Sequence, residues 1–410
     1  MNILILHRIP YDKIDYHRGI DHCKHKVVYC GLAKALETIP SWLQCEKWAR
    51  AGFDNIENEV IDLVNSSGVH FDRVISLSEY ELMATAVIRE HFAIKGSATN
   101  VVKRFRDKLI MKEQVARHNI KAPVNDALQK IIDDKTLTME GKIVLKPIDG
   151  ASSQDISVYK NIDALREAVS LKKTGIDVID KGVYDGFQVE TFIDGDILHF
   201  DGMVVEGELI FVVANKYIGN CMNYAKGEPL GSVQIELQEN HATWVQAVLD
   251  SLELQNGSFH LEAILDDDRL IFLEIANRVG GADVVNVVEK ATGIHMPSTE
   301  LAIYLGEFKR PTTISKSQKK FGWFVVPGHH INADSATLTL SEDFSKHDNI
   351  LRWNQLPMPF EKLKHITYQA AVVPLAGLVQ ADSSQQVEAL IREIFSGIEL
   401  SEPVIECNKT

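Results

Sequence analysis

Along the first hundred residues, short apolar runs alternate with stretches of helical period. Residues 3–6 form an apolar run suited to a buried strand. Residues 27–39 look helix-like and are closed by Pro40, and residues 60–65 can pack as a helix. Residues 73–77 read as a strand, followed by an amphipathic helix over 79–91. This alternation predicts an open α/β domain with a largely parallel sheet. No G-x-G-x-x-G turn follows the first strand, so the dinucleotide signature is missing.

The helical period resumes over 106–118 and ends at Asn119 and Pro123. A strand at 142–147 carries Lys146 near its end and opens into a small, polar loop over 148–155. Further strands are expected at 156–159, 186–193, 198–205 and 209–217, and helices at 162–170, 241–252 and 284–292. From about Pro311 the pattern shortens, punctuated by Gly322, Pro327, Pro357 and Pro374, which predicts a β-rich C-terminal segment.

The densest chemistry lies in two short strands around Asp266-Asp267-Asp268, a polar turn signal. Glu262 and Glu274 flank that turn with Asp268 at their midpoint, so a hairpin sets the two acids opposite each other. Period-two alternation puts His260, Glu262 and Ile264 on one face, and Phe272, Glu274 and Ala276 on one face of the partner strand. Facing carboxylates in an apolar setting repel unless a cation lies between them. Magnesium takes few protein carboxylates and leaves its other positions to water and phosphate oxygens. Arg278 follows on the same segment and can meet those phosphates, and Gly280-Gly281 allows a ligand close to the backbone.

Composition narrows the class. The chain has 410 residues and a formal net charge of −14, which argues against general nucleic-acid affinity and against an anionic membrane surface. No run of eighteen apolar residues appears, so no membrane span is expected. The apolar start without basic residues reads as a strand, not a signal peptide. Cys23, Cys30, Cys45, Cys221 and Cys407 are scattered without metal or redox spacing, as expected of reduced thiols in a cytoplasmic protein.

Taken singly, the other candidate residues are weak. Lys108 and its neighbours read as a charged helix face, Lys146 as a solvated strand end, and Glu190 as part of an ordinary strand and turn. His260 reads as a packing or hydrogen-bonding residue. His199 and Asp201 lie near the Glu190 strand, where one can face a substrate. His329-His330 would point to opposite sides of a strand, a poor metal pair.

In order, Lys108, Lys146 with its small-residue loop, Glu190, Glu262, Glu274 and Arg278 resemble the ATP-grasp superfamily. Within it the chain resembles the carboxylate–amine ligases, in the branch of the dipeptide-forming L-amino-acid ligases and carnosine-synthase-like enzymes. The resemblance covers roughly residues 1–310, and is sharpest at 142–155, 188–203 and 259–281. It implies an N-terminal α/β domain (1–104), a small lobe with linker helices (105–187), a large lobe with the magnesium site (188–310) and a C-terminal β-rich subdomain (311–410).

It also implies roles. Lys108 and Lys146 would bind nucleotide phosphates, and Gly150, Ser152 and Ser153 would belong to the loop that covers them. Glu190, Phe192 and Ile193 would form the adenine hinge, and Asp196 would take the ribose. Glu262 and Glu274 would hold Mg2+, with Mn2+ as a substitute, and Arg278 would act with Lys146 on the transferring phosphoryl group. The family's usual Glu-x-Asn-x-Arg is broken here, since Ala276 replaces the asparagine and Asn277 sits one place later. The implied reaction is ADP-forming amide synthesis through an acyl phosphate from a small carboxylic acid and an amine, in an enzyme whose relatives often dimerise. A carboxylase-like or purine-pathway ligase and a non-catalytic ATP-binding protein remain the alternatives.

Overall fold

A computed structural model of the chain describes residues 1–401 apart from 54, 151–153 and 316. Its N-terminal part is a four-stranded parallel sheet. The strand Asn2–Leu6 lies in the middle, between Lys26–Gly31 and Arg73–Ile75. The expected helix over 27–39 is corrected here. Val27, Val28, Tyr29 and Cys30 form a buried strand, and only Ala33–Leu36 is helical. β-branched and aromatic side chains suit the pleated sheet and lose rotamer freedom in a helix.

Next comes a four-stranded antiparallel sheet, in the order Asn125–Ala127, Phe187–Thr191, Ile143–Pro147 and Ser157–Tyr159. The helix Ile162–Ser170 packs on it through Ile162, Leu165 and Val169. The helix Lys108–Arg117 leads into this lobe. Asp107 caps it by accepting from the Leu109 and Ile110 amides, which fixes Lys108 at the first helical position.

The third part is an eight-stranded antiparallel sheet. Five strands come from residues before 240 or from the carboxylate hairpin: Arg269–Ala276, Asn256–Asp266, Asp196–Val205, Glu208–Ile218 and Leu230–Gln234. The other three, Lys320–Val326, Leu375–Ala381 and Ile350–Gln355, come from the C-terminal segment. That segment therefore extends the large lobe's own sheet, and it adds the amphipathic helix Ser384–Ser396. The parts pack on one another: Leu301 and Leu305 of the helix Met296–Leu305 enter the core of the N-terminal sheet.

Candidate active site

The carboxylate hairpin depends on a bulge. Its turn is tight, with Asp266 paired to Arg269 and Asp267 in a left-handed conformation (φ 53°). From that turn, a regular ladder would set Glu262 opposite Leu273 and turn Glu274 to the other face. The register instead jumps from Ala263↔Phe272 to Glu262↔Glu274, leaving Leu273 as the extra residue. The two acids thus face each other, as the sequence suggested, but Phe272 does not share their face. It lies in the core with Leu261, Ala263 and Ile275.

Glu262 accepts from the Tyr217 hydroxyl at 2.8 Å and lies 3.3 Å from His260 Nε2. Glu274 has the Lys108 ammonium at 3.5 Å. Burial would raise the Glu274 carboxyl, but Lys108, Lys146 and Lys112 outweigh it and hold it well below the usual carboxylate range. Behind Glu262 runs a buried chain. His260 Nδ1 lies 2.7 Å from Asp201 Oδ1, His199 Nδ1 lies 2.6 Å from Asp201 Oδ2, and His199 Nε2 reaches Ser232 Oγ at 2.7 Å. Burial opposes the charged form of His260, yet Asp201 raises it to about 10. Gly280 fits against this chain, because a Cβ there would stand 2.8 Å from Asp201 Oδ1 and 2.9 Å from His260 Nδ1. The glycine pair serves the protein's own packing at Gly280 and borders open space only at Gly281.

At the small lobe, Glu190 is buried with an ammonium on each oxygen: Lys146 at 2.6 Å and Lys112, also hydrogen-bonded. Val144 pairs with Glu190, and Lys146 with Gln188, so Lys146 and Glu190 are diagonal neighbours on one sheet face. Lys112 follows Lys108 by one helical turn and so shares its face. Both are buried, which corrects the reading of a solvated charged helix. Burial would raise the Glu190 carboxyl, but Lys112 and Lys146 hold it below its ordinary value. Burial pulls Lys112 down to about 8, whereas Lys146 ends raised because Glu190 and Glu274 together outweigh burial. In this arrangement both Glu190 oxygens are engaged by ammonium groups, while the residue still borders the larger cavity.

The rest of the hinge lies alongside. Phe192 donates its N–H to the Lys142 carbonyl at 2.9 Å and, with Ile193 and Asp196, borders a cavity of about 330 Å³. Gly150, Lys146, Lys108, Glu262 and Glu274 line the same cavity. The Gly150 carbonyl accepts from Lys108 at 2.7 Å, which ties the loop to the helix. Ser152 and Ser153 lie outside the described residues.

Arg278 does not line that cavity. It borders a second one of about 140 Å³, which shares Lys108, Tyr217, Cys221, Glu262 and Glu274 with the first. Glu79, from the turn after the strand Arg73–Ile75, accepts from Arg278 at 2.6 Å and also from Arg106. Arg106 in turn donates to the Asp149 carbonyl at 2.6 Å. Burial would raise the Glu79 carboxyl, but the two guanidiniums lower it. Glu79 and Lys112 were missed because each gains its partner only across the fold. The i, i+4 spacing of Lys108 and Lys112 was the one legible hint.

Asn277 turns away, donating to the Ser258 carbonyl at 2.7 Å, so it does not replace the asparagine missing at Ala276. His329 and His330 form no metal group with other residues among those described; the one such cluster is His199, Asp201 and His260. Among the described residues no helix is long and apolar enough to cross a membrane.

The ATP-grasp domain family matches residues 139–286, the stretch that holds Lys146, Glu190 and the carboxylate hairpin. The chain is 24% identical over 298 residues to the L-arginine-specific L-amino acid ligase of Bacillus subtilis, covering 68% of each. It is 25% identical over 210 residues to dapdiamide A synthase of Enterobacter agglomerans, covering 48% of this chain and 47% of that one. Among solved structures, the L-amino acid ligase of Bacillus licheniformis superposes with a TM-score of 0.73 at 18% identity, over 98% of both chains. Phosphoribosylglycinamide synthetase of Anaerococcus prevotii gives 0.65 at 16% identity, over 98% of this chain and 99% of that one. The ATP-grasp domain match thus falls on the site, and the fold of these ligase structures is shared over almost the whole chain.

Proposed function

We propose that the protein is a carboxylate–amine ligase that joins a small carboxylic acid, an amino acid or similar, to an amine at the expense of ATP. One observation carries this reading. A nucleotide-sized cavity bordered by Lys108, Lys146 and a facing carboxylate pair shares walls with a smaller cavity bordered by Arg278. Phosphoryl donor and acceptor each have a place, and the charged groups lie where the two places meet.

The carboxylate pair suits a divalent cation. Glu262 and Glu274 face each other, Glu274 with Lys108 at 3.5 Å and Glu262 with His260 and the Tyr217 hydroxyl. Both carboxylates also border the nucleotide cavity. Magnesium held there would neutralise phosphate charge during transfer. Asn277 being turned away supports a site with two carboxylate ligands and no amide.

Lys108 and Lys146 draw the phosphates toward the hairpin. Lys146 can leave Glu190 for a phosphate because Lys112 keeps that carboxylate neutralised. Arg278, aligned by Glu79, stabilises the phosphoryl group in flight and the acyl phosphate that results. The acid's carboxylate oxygen attacks the γ-phosphorus and ADP leaves. The amine then attacks the acyl carbon, and phosphate departs with the electron pair of the C–O bond. Covering the site keeps water from the acyl phosphate. Phosphate release measured over pairs of acids and amines tests the proposal. ADP and phosphate should form in step with the amide, whereas stoichiometric AMP and pyrophosphate would contradict it.

A further inference from the structure

The smaller cavity has two unlike ends. One carries Glu79, Arg106, Lys108, Arg278 and the carboxylate pair. The other is walled by Tyr217, Cys221, Leu230, Trp323 and Tyr368, part of the main apolar core of the large lobe. Trp323 and Leu230 are buried, and the Tyr217 and Trp323 rings meet edge to face at 6.2 Å. The Tyr217 hydroxyl is directed to Glu262 and so is spent on the charged end.

Every carboxylate on this cavity is committed, Glu79 to two guanidiniums and the facing pair Glu262 and Glu274 to the cation it would hold. Glu79 serves Arg278 and Arg106, Glu262 serves Tyr217 and His260, and Glu274 lies beside Lys108. Among the described lining residues, no acid is left over for a cationic group on a substrate. The cation nearest the aromatic wall, His260, lies 3.5 Å from the Tyr217 hydroxyl and is spent on Asp201 and Glu262, so it does not receive an anionic group. A charge buried there would lose its hydration without a partner.

We infer that the acid activated by this enzyme bears a small, uncharged, apolar side chain, seated between Trp323, Tyr217 and Leu230 with its carboxylate at Arg278. This rests on the ligase reading given above. The volume sets the size. A cavity of about 150 Å³ lined by apolar residues holds one benzene-sized group, and this one measures about 140 Å³ including its charged end. An alanine- to valine-sized acid fits that space, whereas an arginine-sized chain exceeds it.

The test is phosphate release by the wild-type protein with ATP, a fixed amine and a panel of glycine, alanine, valine, phenylalanine, arginine and glutamate as donors. Titration of the same acids into protein holding a non-hydrolysable ATP analogue adds a binding readout. Alanine or valine should give the highest kcat/KM, with arginine and glutamate lower by roughly 100-fold or more. Leu230→Ala and Trp323→Phe should each shift the preference toward phenylalanine by about 10-fold. Preference for arginine or glutamate, or an unchanged ranking in both folded variants, would overturn the inference and leave the ligase reading standing. Phosphate release with no acid at all would overturn both.

Discussion

Two groups of charge, a buried one in the small lobe and a half-buried one in the large lobe, solve the same electrostatic problem in opposite ways. In the small lobe a single carboxylate, Glu190, meets two ammonium groups, so the cluster is neutralised by the protein itself. In the large lobe two carboxylates, Glu262 and Glu274, face each other with one lysine 3.5 Å from one of them. The first arrangement needs nothing more to fold. The second carries an excess of negative charge aimed into a cavity, which calls for a cation from outside. A charge that is fully paired reports on architecture, while one left short of partners beside a cavity reports on a ligand.

The comparison breaks most visibly at the large lobe. Glu274→Gln keeps the volume but removes half of the paired charge, so turnover should fall by roughly 1000-fold while circular dichroism and the melting temperature stay close to wild type. Retained turnover would return the hairpin to the status of a charged sheet edge. Arg278→Met should lower kcat by about 100-fold and change ATP affinity far less, because its charge is needed most in the transition state. Steady-state kinetics beside direct ATP binding separates the two effects.

At the small lobe the expected losses are in binding. Lys146→Ala removes a charge-assisted contact worth roughly 1.5–3 kcal/mol, so ATP affinity should drop by about 10- to 150-fold. The fold should persist, since Lys112 still faces Glu190. Calorimetry with a folding control checks this, and unchanged affinity would displace the phosphate site. The smallest effect concerns acid stability. Glu190 and Asp201 have carboxyls held below their ordinary values by their cationic partners, against the burial that would raise them. A depressed carboxyl stabilises the fold above its unfolded pKa and loses that contribution as pH falls through the folded one. Melting temperature should therefore decline as pH is lowered below about 4.5, and Glu190→Gln should flatten that decline.

Much of this was legible in local pattern. The helices at 162–170 and 284–292 follow from periodicity, because each buries one face, and the strands around Lys146 and Glu190 follow from short apolar runs that are buried almost throughout. What escaped depended on partners distant in sequence. The bulge at Leu273 shifts register by one residue, and nothing local marks it. Lys112 looks solvated until Glu190, 78 residues away, covers it. Residues 27–31 run directly into a helical pattern, yet their β-branched and aromatic side chains favour the strand that forms. The helix Ser384–Ser396 was missed despite a capping box at Ser383 and Gln386, a signal present in the sequence.

The central claim is that the facing acids of the bulged hairpin hold the nucleotide's metal. A crystal structure with magnesium and a non-hydrolysable ATP analogue tests it directly. The account predicts a cation between Glu262 and Glu274, about 2.1 Å from an oxygen of at least one of them and bridged to the phosphates. A cation lying beyond a water-bridged distance from both carboxylates would contradict it.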